Sequence, residues 1–233
     1  MKAIIVTGAT SGIGKAICSN LISKGIEVVP IARNEECLKN NYTNYIVCDL
    51  TKINQYDGIF KYCNEKNIFI SGLIHCAGVC KKQKISTVKE MDFYNTFLIN
   101  AYSYCELFKR LIAYEKRTSD VRCISISSIT AERAYKNQLL YASSKAALNS
   151  ITLSLAQEGI EKDIKSNIIE FGAVKTEMFD SLSPNYESIN KHYPLGILEC
   201  DEAAEIVVNY LSPIYKKMTG SVIRVDSGFS VVH

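Results

Sequence analysis

Residues 7–14 read TGATSGIG and follow directly on a short apolar run, residues 3–6 (AIIV). This order predicts a buried strand, a tight turn and a helix that begins at about Ile13. Glycine lets the backbone turn sharply and approach a phosphate, and the free N–H groups at the start of a helix bind anions. We therefore expect a dinucleotide-binding turn, whose candidate contacts are Gly8, Thr10, Ser11, Gly12, Ile13 and Gly14.

A P-loop is the competing interpretation of a glycine-rich phosphate turn. It requires the pattern G-x-x-x-x-G-K-[ST]. Here five residues separate Gly8 from Gly14, and Lys15 is followed by Ala16. Both requirements fail, so the dinucleotide turn is the interpretation that we keep.

Strand-like and helix-like segments alternate along the whole chain. Strands are predicted at residues 3–7, 27–32, 45–48, 73–76, 121–127, 164–170 and 221–225, and the clearest helices at residues 13–24, 91–114 and 139–157. Pro30 in the second strand cannot donate a ladder hydrogen bond, which predicts a local irregularity. The alternation predicts an α/β fold, a single doubly wound Rossmann-type domain over residues 1–233, with a central parallel sheet of about seven strands and helices on both faces.

Residues 177–193 show no clear periodicity and follow the end of a predicted strand. A loop of this length in a compact domain usually has a function, and ligands of open α/β sheets bind at strand ends. We expect a substrate lid here (the lid segment), with a merely flexible connection as the alternative.

Length, charge and cysteine content narrow the class of protein. The 233 residues suit one α/β domain, and a net charge of +3 from scattered Lys and Arg argues against nucleic-acid and membrane partners. Nine cysteines without a recognisable signal peptide indicate free thiols in the cytoplasm. His75, Cys76 and Cys80 lack a second group of ligands at metal-binding spacing, so no metal site is expected.

The residues after the second predicted strand indicate which dinucleotide is bound. In NAD sites a carboxylate about twenty residues beyond the glycine turn takes the ribose 2′-hydroxyl. Ala32 cannot do this, whereas Arg33 can clamp a 2′-phosphate with its planar guanidinium, unless it is an ordinary surface arginine. The expected cofactor is NADP(H).

Tyr141 and Lys145 are four residues apart in a predicted helix and therefore share one face. A tyrosine has a pKa near 10, and a neighbouring ammonium favours the phenolate, so the pair predicts a tuned proton donor for a carbonyl oxygen. Ser128, after a predicted strand, can hydrogen-bond the same oxygen. The same spacing recurs at Tyr62 and Lys66 without such a serine, so the spacing alone is weak evidence.

Taken together, these motifs resemble the classical short-chain dehydrogenase/reductase family over essentially the whole chain, and its 3-oxoacyl-[acyl-carrier-protein] reductases are similar in length and lid position. Residues 7–14 are similar to the family's TGxxxGxG turn and residues 75–78 to its NNAG segment. Residues 171–176 are similar to its PGxVxT segment, residues 194–196 to the segment after its lid and residues 225–228 to its closing VDGG.

The resemblance implies roles for individual residues. Tyr141 is expected to act as acid and base, and Lys145 to bind the nicotinamide ribose while lowering the tyrosine pKa. Ser128 is expected to hold the substrate oxygen, and Asn100 to support a water-linked proton relay. Asp49 and Leu50 resemble the adenine-contacting pair. The expected cofactor contacts outside the glycine turn are Arg33, Asp49, Leu50, Ala77, Gly78, Tyr141, Lys145, Gly172, Val174 and Thr176.

The chain departs from the family pattern at a few positions. His75 and Cys76 replace two asparagines, Phe171 replaces a proline and Ser227 replaces a glycine. None of these changes removes a member of the tetrad. They do affect the bracing of the fourth strand and the backbone path beside the nicotinamide.

The substrate is left open. We expect an NADPH-dependent oxidoreductase that reduces a carbonyl on a small-molecule or carrier-bound substrate, with residues 81–84 and Arg133 as candidate contacts for an anionic carrier. The alternatives are an NAD(P)-dependent alcohol dehydrogenase acting on a sugar or polyol, and a non-enzymatic NADP(H)-binding regulator.

The resemblance also implies a homodimer or homotetramer. The subunits would pair through the helices predicted at residues 91–114 and 139–157. These helices carry more apolar residues than one face of the sheet needs, including Tyr102, Tyr104, Leu148 and Ile151.

Overall fold

The computed structural model describes residues 1–133, 135–182 and 185–233. In these ranges the strands are β1 (Lys2–Thr7), β2 (Glu27–Ala32), β3 (Ile46–Val47), β4 (Phe69–His75), β5 (Arg117–Ser128), β6 (Ile164–Phe171) and β7 (Val222–Val225). The α-helices are α1 (Gly12–Ser23), α2 (Glu35–Asn41), α3 (Tyr56–Glu65), α4 (Glu90–Phe97), α5 (Ser103–Ala113), α6 (Leu139–Gly159), α7 (Glu177–Leu182), α8 (Tyr186–Asn190), α9 (Cys200–Tyr210) and α10 (Phe229–Val232).

The strands form one sheet in the order β3-β2-β1-β4-β5-β6-β7, and each neighbouring pair is parallel. From β1 the chain continues to β2 and β3 on one side of the sheet, and from β4 it continues to β5, β6 and β7 on the other side. The loops that follow β1 and β4 therefore lead in opposite directions and leave a crevice between them. Open α/β sheets bind their ligands at such a switch point, beyond the carboxyl ends of the strands. The prediction of a doubly wound fold with about seven parallel strands is confirmed.

Alternate side chains of each inner strand enter opposite halves of the core. On β1, Ala3 and Ile5 pack with the helices α3, α5 and α6, whereas Ile4 and Val6 pack with α1 and α9. Both faces of the sheet are therefore buried, which explains why the inner strands are continuous apolar runs rather than alternating ones. No helix in the described ranges is long and apolar enough to cross a membrane.

Pro30 does not disturb the sheet, contrary to the sequence prediction. The register of β1 and β2 runs without a shift from Ala3 opposite Glu27 to Thr7 opposite Ile31. The carbonyl of Ile31 faces β1, where it accepts from the N–H of Gly8 (3.0 Å). Successive residues of a strand face opposite neighbours, so Pro30 faces the β3 side, where β3 first pairs at Ile31. No ladder hydrogen bond is lost.

The helix predicted at residues 91–114 is interrupted. It consists of α4, a π-helical turn at Leu98–Tyr102 and α5. The lid segment contains the short helices α7 and α8, and its residues 183–184 lie outside the described residues. The helices α2, α3, α9 and α10 were not among the predicted elements.

Candidate active site

A cavity of about 430 Å³ lies at the carboxyl edge of the sheet, beside the crevice between β1 and β4. Loops that follow β1, β4, β5 and β6 supply its walls, together with α6 and the lid segment. It brings together most of the predicted site residues, namely Gly8, Ser11, Gly12, Ile13, Gly14, Ala77, Gly78, Ser128, Tyr141, Lys145, Gly172, Val174 and Thr176. Segments separated by more than a hundred residues thus meet at one site.

The glycine turn has a backbone that other residues cannot adopt without strain. Gly8 has a φ of +70°, and a Cβ atom there would lie 2.8 Å from the backbone of Ala77. Gly12 has a φ of +49°, and its Cβ would lie 3.1 Å from Thr176 Cγ2. The Ser11 side chain does not cap α1, so it leaves the first N–H groups of that helix to an anion. The turn fits a dinucleotide pyrophosphate.

Tyr42, which lies outside the glycine motif, stabilises the same turn. Its hydroxyl donates to the carbonyl oxygen of Ala9 at 2.7 Å, and its ring packs near Cys18 of α1. The two bonded residues are 33 positions apart, and no motif in the sequence links them. Sequence reasoning missed this contact.

His75 braces the ends of β1 and β4. The carbonyl of Ile99 can only accept, so the Nε2–H of His75 donates to it at 3.2 Å, and Nδ1 accepts from the hydroxyl of Thr7 at 3.0 Å. The Thr7 oxygen in turn accepts the N–H groups of Cys76 (3.2 Å) and Ala77 (3.1 Å). Burial, followed by the charge of Lys145, lowers the pKa of His75 to about 3, so the ring is neutral. A histidine thus braces this strand where the similar family has asparagine.

Asn100 lies in the π-helical turn and is fully buried. Its amide nitrogen donates to the carbonyl of Val79 and to the Ser144 hydroxyl, both at 2.9 Å, and its oxygen accepts the Val79 N–H at 2.7 Å. The side chain therefore joins the loop after β4 to α6. An extra residue in a helical turn re-aims the side chains around it, and π turns often occur at functional sites.

Tyr141 and Ser128 meet at the cavity. The Ser128 hydroxyl hydrogen-bonds the Tyr141 phenol and accepts the N–H of Thr130 at 3.3 Å. Burial raises the pKa of Tyr141 above its ordinary value, and the hydrogen bond from Ser128 offsets only part of that rise. Burial sets the net direction of this pKa, and a lowering by Lys145 stays a prediction. The phenol keeps its proton at neutral pH, as a proton donor must.

Lys145 lies one helical turn beyond Tyr141 and is only 4% exposed. Its Nζ donates to the carbonyl of Ile126 at 2.8 Å and lies 5.8 Å from the centroid of the Tyr141 ring. Burial lowers the pKa of Lys145 to about 8, because an ammonium is costly away from water. A Cβ atom on Gly78 would lie 3.6 Å from this Nζ, so the glycine leaves the ammonium accessible from the cavity.

Four predicted cofactor contacts lie outside this cavity, namely Thr10, Arg33, Asp49 and Leu50. Arg33 is exposed beyond the end of β2, and Asp49 follows β3. Burial works to raise the pKa of Asp49, but hydrogen bonds from Thr51 and then the charge of Arg33 bring it below its usual value. Leu50 is buried in the core. Arg33 and Asp49 therefore form a polar edge on the β2–β3 side of the glycine turn.

Ser227 and Phe171 occupy the other departures from the family pattern. Ser227 has a φ of +52°, the left-handed region that favours glycine, and its carbonyl accepts the N–H of Leu195 at 3.1 Å. Phe171 is 2% exposed and ends β6. Gly172 follows it, and a Cβ there would lie 2.9 Å from the Tyr193 ring.

Three of the four cations suggested for an anionic carrier, Lys81, Lys82 and Arg133, have partners within the chain. Lys82 Nζ donates to the carbonyl of Leu182 in α7 at 2.7 Å. Arg133 donates to the carbonyl of Ser230 at 3.3 Å, and Lys81 lies 3.5 Å from an Asp92 oxygen. In the described ranges no group of three or more His, Cys, Asp and Glu side chains is placed to hold a metal ion.

Comparison with known proteins gives consistent matches over the full chain. A family model described as enoyl-(acyl carrier protein) reductase matches residues 8–230. L-xylulose reductase of Caenorhabditis elegans is 30% identical, over 98% of this chain and 96% of its own. The 3-oxoacyl-[acyl-carrier-protein] reductase FabG of Rickettsia prowazekii is 30% identical, over 99% of this chain and 98% of its own.

Solved structures share the fold. Thermoplasma acidophilum aldohexose dehydrogenase superposes with a TM-score of 0.90 at 25% identity, over 99% of this chain and 94% of that one. The same fold, at a TM-score of 0.89 and 21–23% identity, occurs in a 4-hydroxyisoleucine dehydrogenase complexed with NADH and in a metagenomic blue fluorescent protein complexed with NADPH.

Proposed function

The chain belongs to the short-chain dehydrogenase/reductase family and is an oxidoreductase of alcohol and carbonyl groups, and we propose that it uses NADPH to reduce a carbonyl compound to an alcohol. One observation supports this direction above the others. The Tyr141 phenol is held at the cavity beside Ser128 and Lys145, with a pKa raised by burial, so it is protonated when a carbonyl arrives.

The proton transfer is assigned to named atoms. Ser128 and Tyr141 lie beside each other in the lining of the cavity, and both hydroxyls are assigned to hydrogen-bond the substrate oxygen there. As negative charge develops on that oxygen, the Tyr141 hydroxyl gives up its proton to it. The Lys145 ammonium, fixed by the carbonyl of Ile126, then stabilises the phenolate that remains. Asn100 keeps the loop after β4 and the helix α6 in register for this step.

The cofactor site follows from the geometry of the glycine turn and the loops after β4 and β6. When bound, NADP(H) supplies the hydride. Gly8, Gly12 and the free N–H groups of α1 would hold its pyrophosphate. We assign the 2′-phosphate to Arg33, because Ala32 at the end of β2 has no carboxylate for a 2′-hydroxyl, and Asp49 to the adenosine edge.

The runner-up is an NAD(P)-dependent alcohol dehydrogenase of a sugar or polyol. It uses the same tetrad in the oxidative direction, with Tyr141 as the base, and the match to an aldohexose dehydrogenase favours it. Because its pKa is raised by burial, Tyr141 is almost entirely protonated at neutral pH in the protein alone, which is the form that reduction needs and not the phenolate that oxidation needs. A non-enzymatic NADP(H)-binding regulator, the third candidate, would have no need for a complete and connected tetrad.

We also propose that the chain forms a homodimer or homotetramer through α4, the π turn and α6. Tyr102 is 41% exposed, and Ile151 is half-buried. Tyr104 and Leu148 were expected at that surface, but both are fully buried in the core and are therefore not part of the proposed interface. The exposed apolar residues available for pairing are Met91, Phe93, Tyr94, Tyr102, Leu139 and Leu153.

A cytoplasmic location is part of the same proposal. All nine cysteines are free thiols, as expected of a protein in a reducing compartment.

The proposed function is tested with a panel of carbonyl compounds, with NADPH consumption as the readout. Tyr141→Phe keeps the ring but removes the proton donor, so turnover should fall by ~10²–10⁴-fold while NADPH binding persists. The matched control is Tyr62→Phe, since Tyr62 also has a lysine four residues later but lies away from the cavity. Near-wild-type reduction by Tyr141→Phe would show that the assigned mechanism is wrong.

A further inference from the structure

The C-terminal residues form one wall of the cavity, on the side away from the glycine turn. The helix α10 starts at Phe229, and the Asp226 carboxylate accepts the N–H groups of Gly228 (3.1 Å) and Ser230 (2.9 Å) at its start. Arg133, from the loop after β5, donates to the carbonyl of Ser230 at 3.3 Å. These bonds fix α10 against the cavity from two separate segments.

Three aromatic rings of this wall line the cavity and pack against each other. The Phe229 ring lies 4.9 Å from the Tyr193 ring, at an interplanar angle of 31°, and 6.5 Å from the Tyr135 ring, at 37°. Behind Phe229, the Arg133 guanidinium lies 5.6 Å from its ring centroid. The Phe229 ring also lies 4.9 Å from the His233 ring, so neighbours on several sides hold it in one orientation, in tilted ring pairs. We call this set, Tyr135, Tyr193 and Phe229, the aromatic wall.

The described part of the lid segment faces the same space with apolar side chains. Met178, Phe179, Leu182 and Ile189 line the cavity there. Burial raises the pKa of Tyr193 to about 12 and also raises that of Tyr135, so both phenols stay neutral. A ligand in this space thus meets aromatic rings and apolar lid side chains, together with a few polar residues that include Thr130, Gln138 and His192.

Resting on the reductase function proposed above, we propose that the substrate is an apolar ketone that carries a ring, and that Phe229 selects it by stacking. Aromatic rings attract each other in offset and tilted arrangements, and Phe229 lines the cavity within a cluster of such tilted rings. The lid side chains Met178, Phe179, Leu182 and Ile189 offer no hydrogen-bond partner to a buried sugar hydroxyl, so a polyhydroxylated sugar could bond only to the few polar groups of the lining, such as Gln138 and His192. A flexible acyl chain fills apolar space too, but it gains nothing from ring orientation.

The test compares matched ketones and matched variants. The substrates are 2-tetralone (two fused rings), 2-octanone (apolar, without a ring), xylulose (polyhydroxylated) and acetoacetyl-CoA (a thioester). The variants are Phe229→Leu, which keeps apolar bulk without the ring, and Phe229→Ala. Val231→Ala is the control, because Val231 lies on the same helix but is 89% exposed. Binding of 2-tetralone to the NADPH-loaded protein is measured separately by calorimetry.

We expect kcat/KM for 2-tetralone to exceed that for the other three compounds. Phe229→Leu should lower it roughly two- to twelve-fold, mainly through KM, which is the range of one lost ring–ring contact. The same variant should change kcat/KM for 2-octanone less than twofold, and Val231→Ala should change neither.

Three outcomes would overturn the inference. Preference for xylulose or acetoacetyl-CoA would assign another substrate class, and an equal loss for 2-tetralone and 2-octanone in Phe229→Leu would reduce Phe229 to a structural role. Absence of 2-tetralone binding, with NADPH bound, would also reject it. If 2-tetralone binds in a Phe229-dependent way but no carbonyl consumes NADPH, the proposed reductase function fails and the ring-binding wall stands.

Discussion

Raising the pH through 8 should remove the positive charge of Lys145 and with it most of the reductase activity. Lys145 is 4% exposed, and burial lowers its pKa from 10.5 to about 8. An amine is charged below its pKa, so the ammonium predominates by about ten to one at pH 7 and is outnumbered by about ten to one at pH 9. If the ammonium must stabilise the Tyr141 phenolate, kcat/KM at pH 9 falls to about a tenth of its neutral value.

Tyr141 itself cannot produce this alkaline limb. Burial moves its pKa upward, so the phenol retains its proton throughout the range from pH 7 to pH 10. A limb centred near pH 8 therefore belongs to Lys145. His75 cannot contribute either, because its pKa of about 3 leaves it neutral over the same range.

The assay is the initial rate of NADPH oxidation at low ketone concentration, from pH 6 to pH 10, since kcat/KM reports the groups of the free enzyme. Lys145→Arg carries a guanidinium that stays charged above pH 12, so its profile should be flat to pH 10 even if its rate is lower. The matched control is Lys66→Arg, at the exposed lysine that follows Tyr62. A flat wild-type profile, or an unchanged limb near pH 8 in Lys145→Arg, would refute the reasoning.

Three further measurements address the cofactor site and the assembly. Wild-type protein should bind NADPH about ten- to a hundred-fold more tightly than NADH, the range of a charge-assisted contact of ~1.5–3 kcal/mol. Arg33→Ala should erase most of this difference in affinity. Equal wild-type affinities for the two cofactors by calorimetry would reject the role of Arg33. Tyr42→Phe removes the hydrogen bond to Ala9, so the NADPH dissociation constant should rise by about two- to twelve-fold (~0.5–1.5 kcal/mol) while kcat stays constant. An unchanged dissociation constant would show that the turn holds without Tyr42. Light scattering at micromolar concentration should report a dimer or tetramer, and a monomer would contradict the pairing of α4 and α6.

Much of the fold could be predicted because its signals are local. The strand, turn and helix around Gly8 and Gly12 follow from an apolar run and from the backbone freedom of glycine, both of which are read within a few residues. Tyr141 and Lys145 share a face because helical geometry alone relates residues four apart. The alternation of such segments is sufficient for a parallel sheet with helices on both faces.

The predictions that were wrong concern properties that depend on tertiary contacts and not on local sequence. Pro30 was expected to disturb the sheet, but whether its missing N–H matters depends on which neighbour that side of the strand faces. Tyr104 and Leu148 were expected at an interface, yet packing buries both in the core. The upward shift of the Tyr141 pKa could not be predicted either, because desolvation is a property of the packed cavity and not of the Tyr-Lys spacing.

The βα turn for a dinucleotide, the doubly wound sheet and the pairing of Tyr141 with Lys145 follow from the sequence alone, because each depends on residues that are close along the chain. The bond of Tyr42 to Ala9, the link that His75 makes between Thr7 and Ile99, and the place of Phe229 in the cavity lining become visible only in the folded protein. The residues joined by Tyr42 and His75 are between 24 and 68 positions apart along the chain. Phe229 and its neighbour Tyr193 likewise come from separate segments. Their meeting depends on the packing of the whole sheet and its helices, which no local pattern of residues encodes.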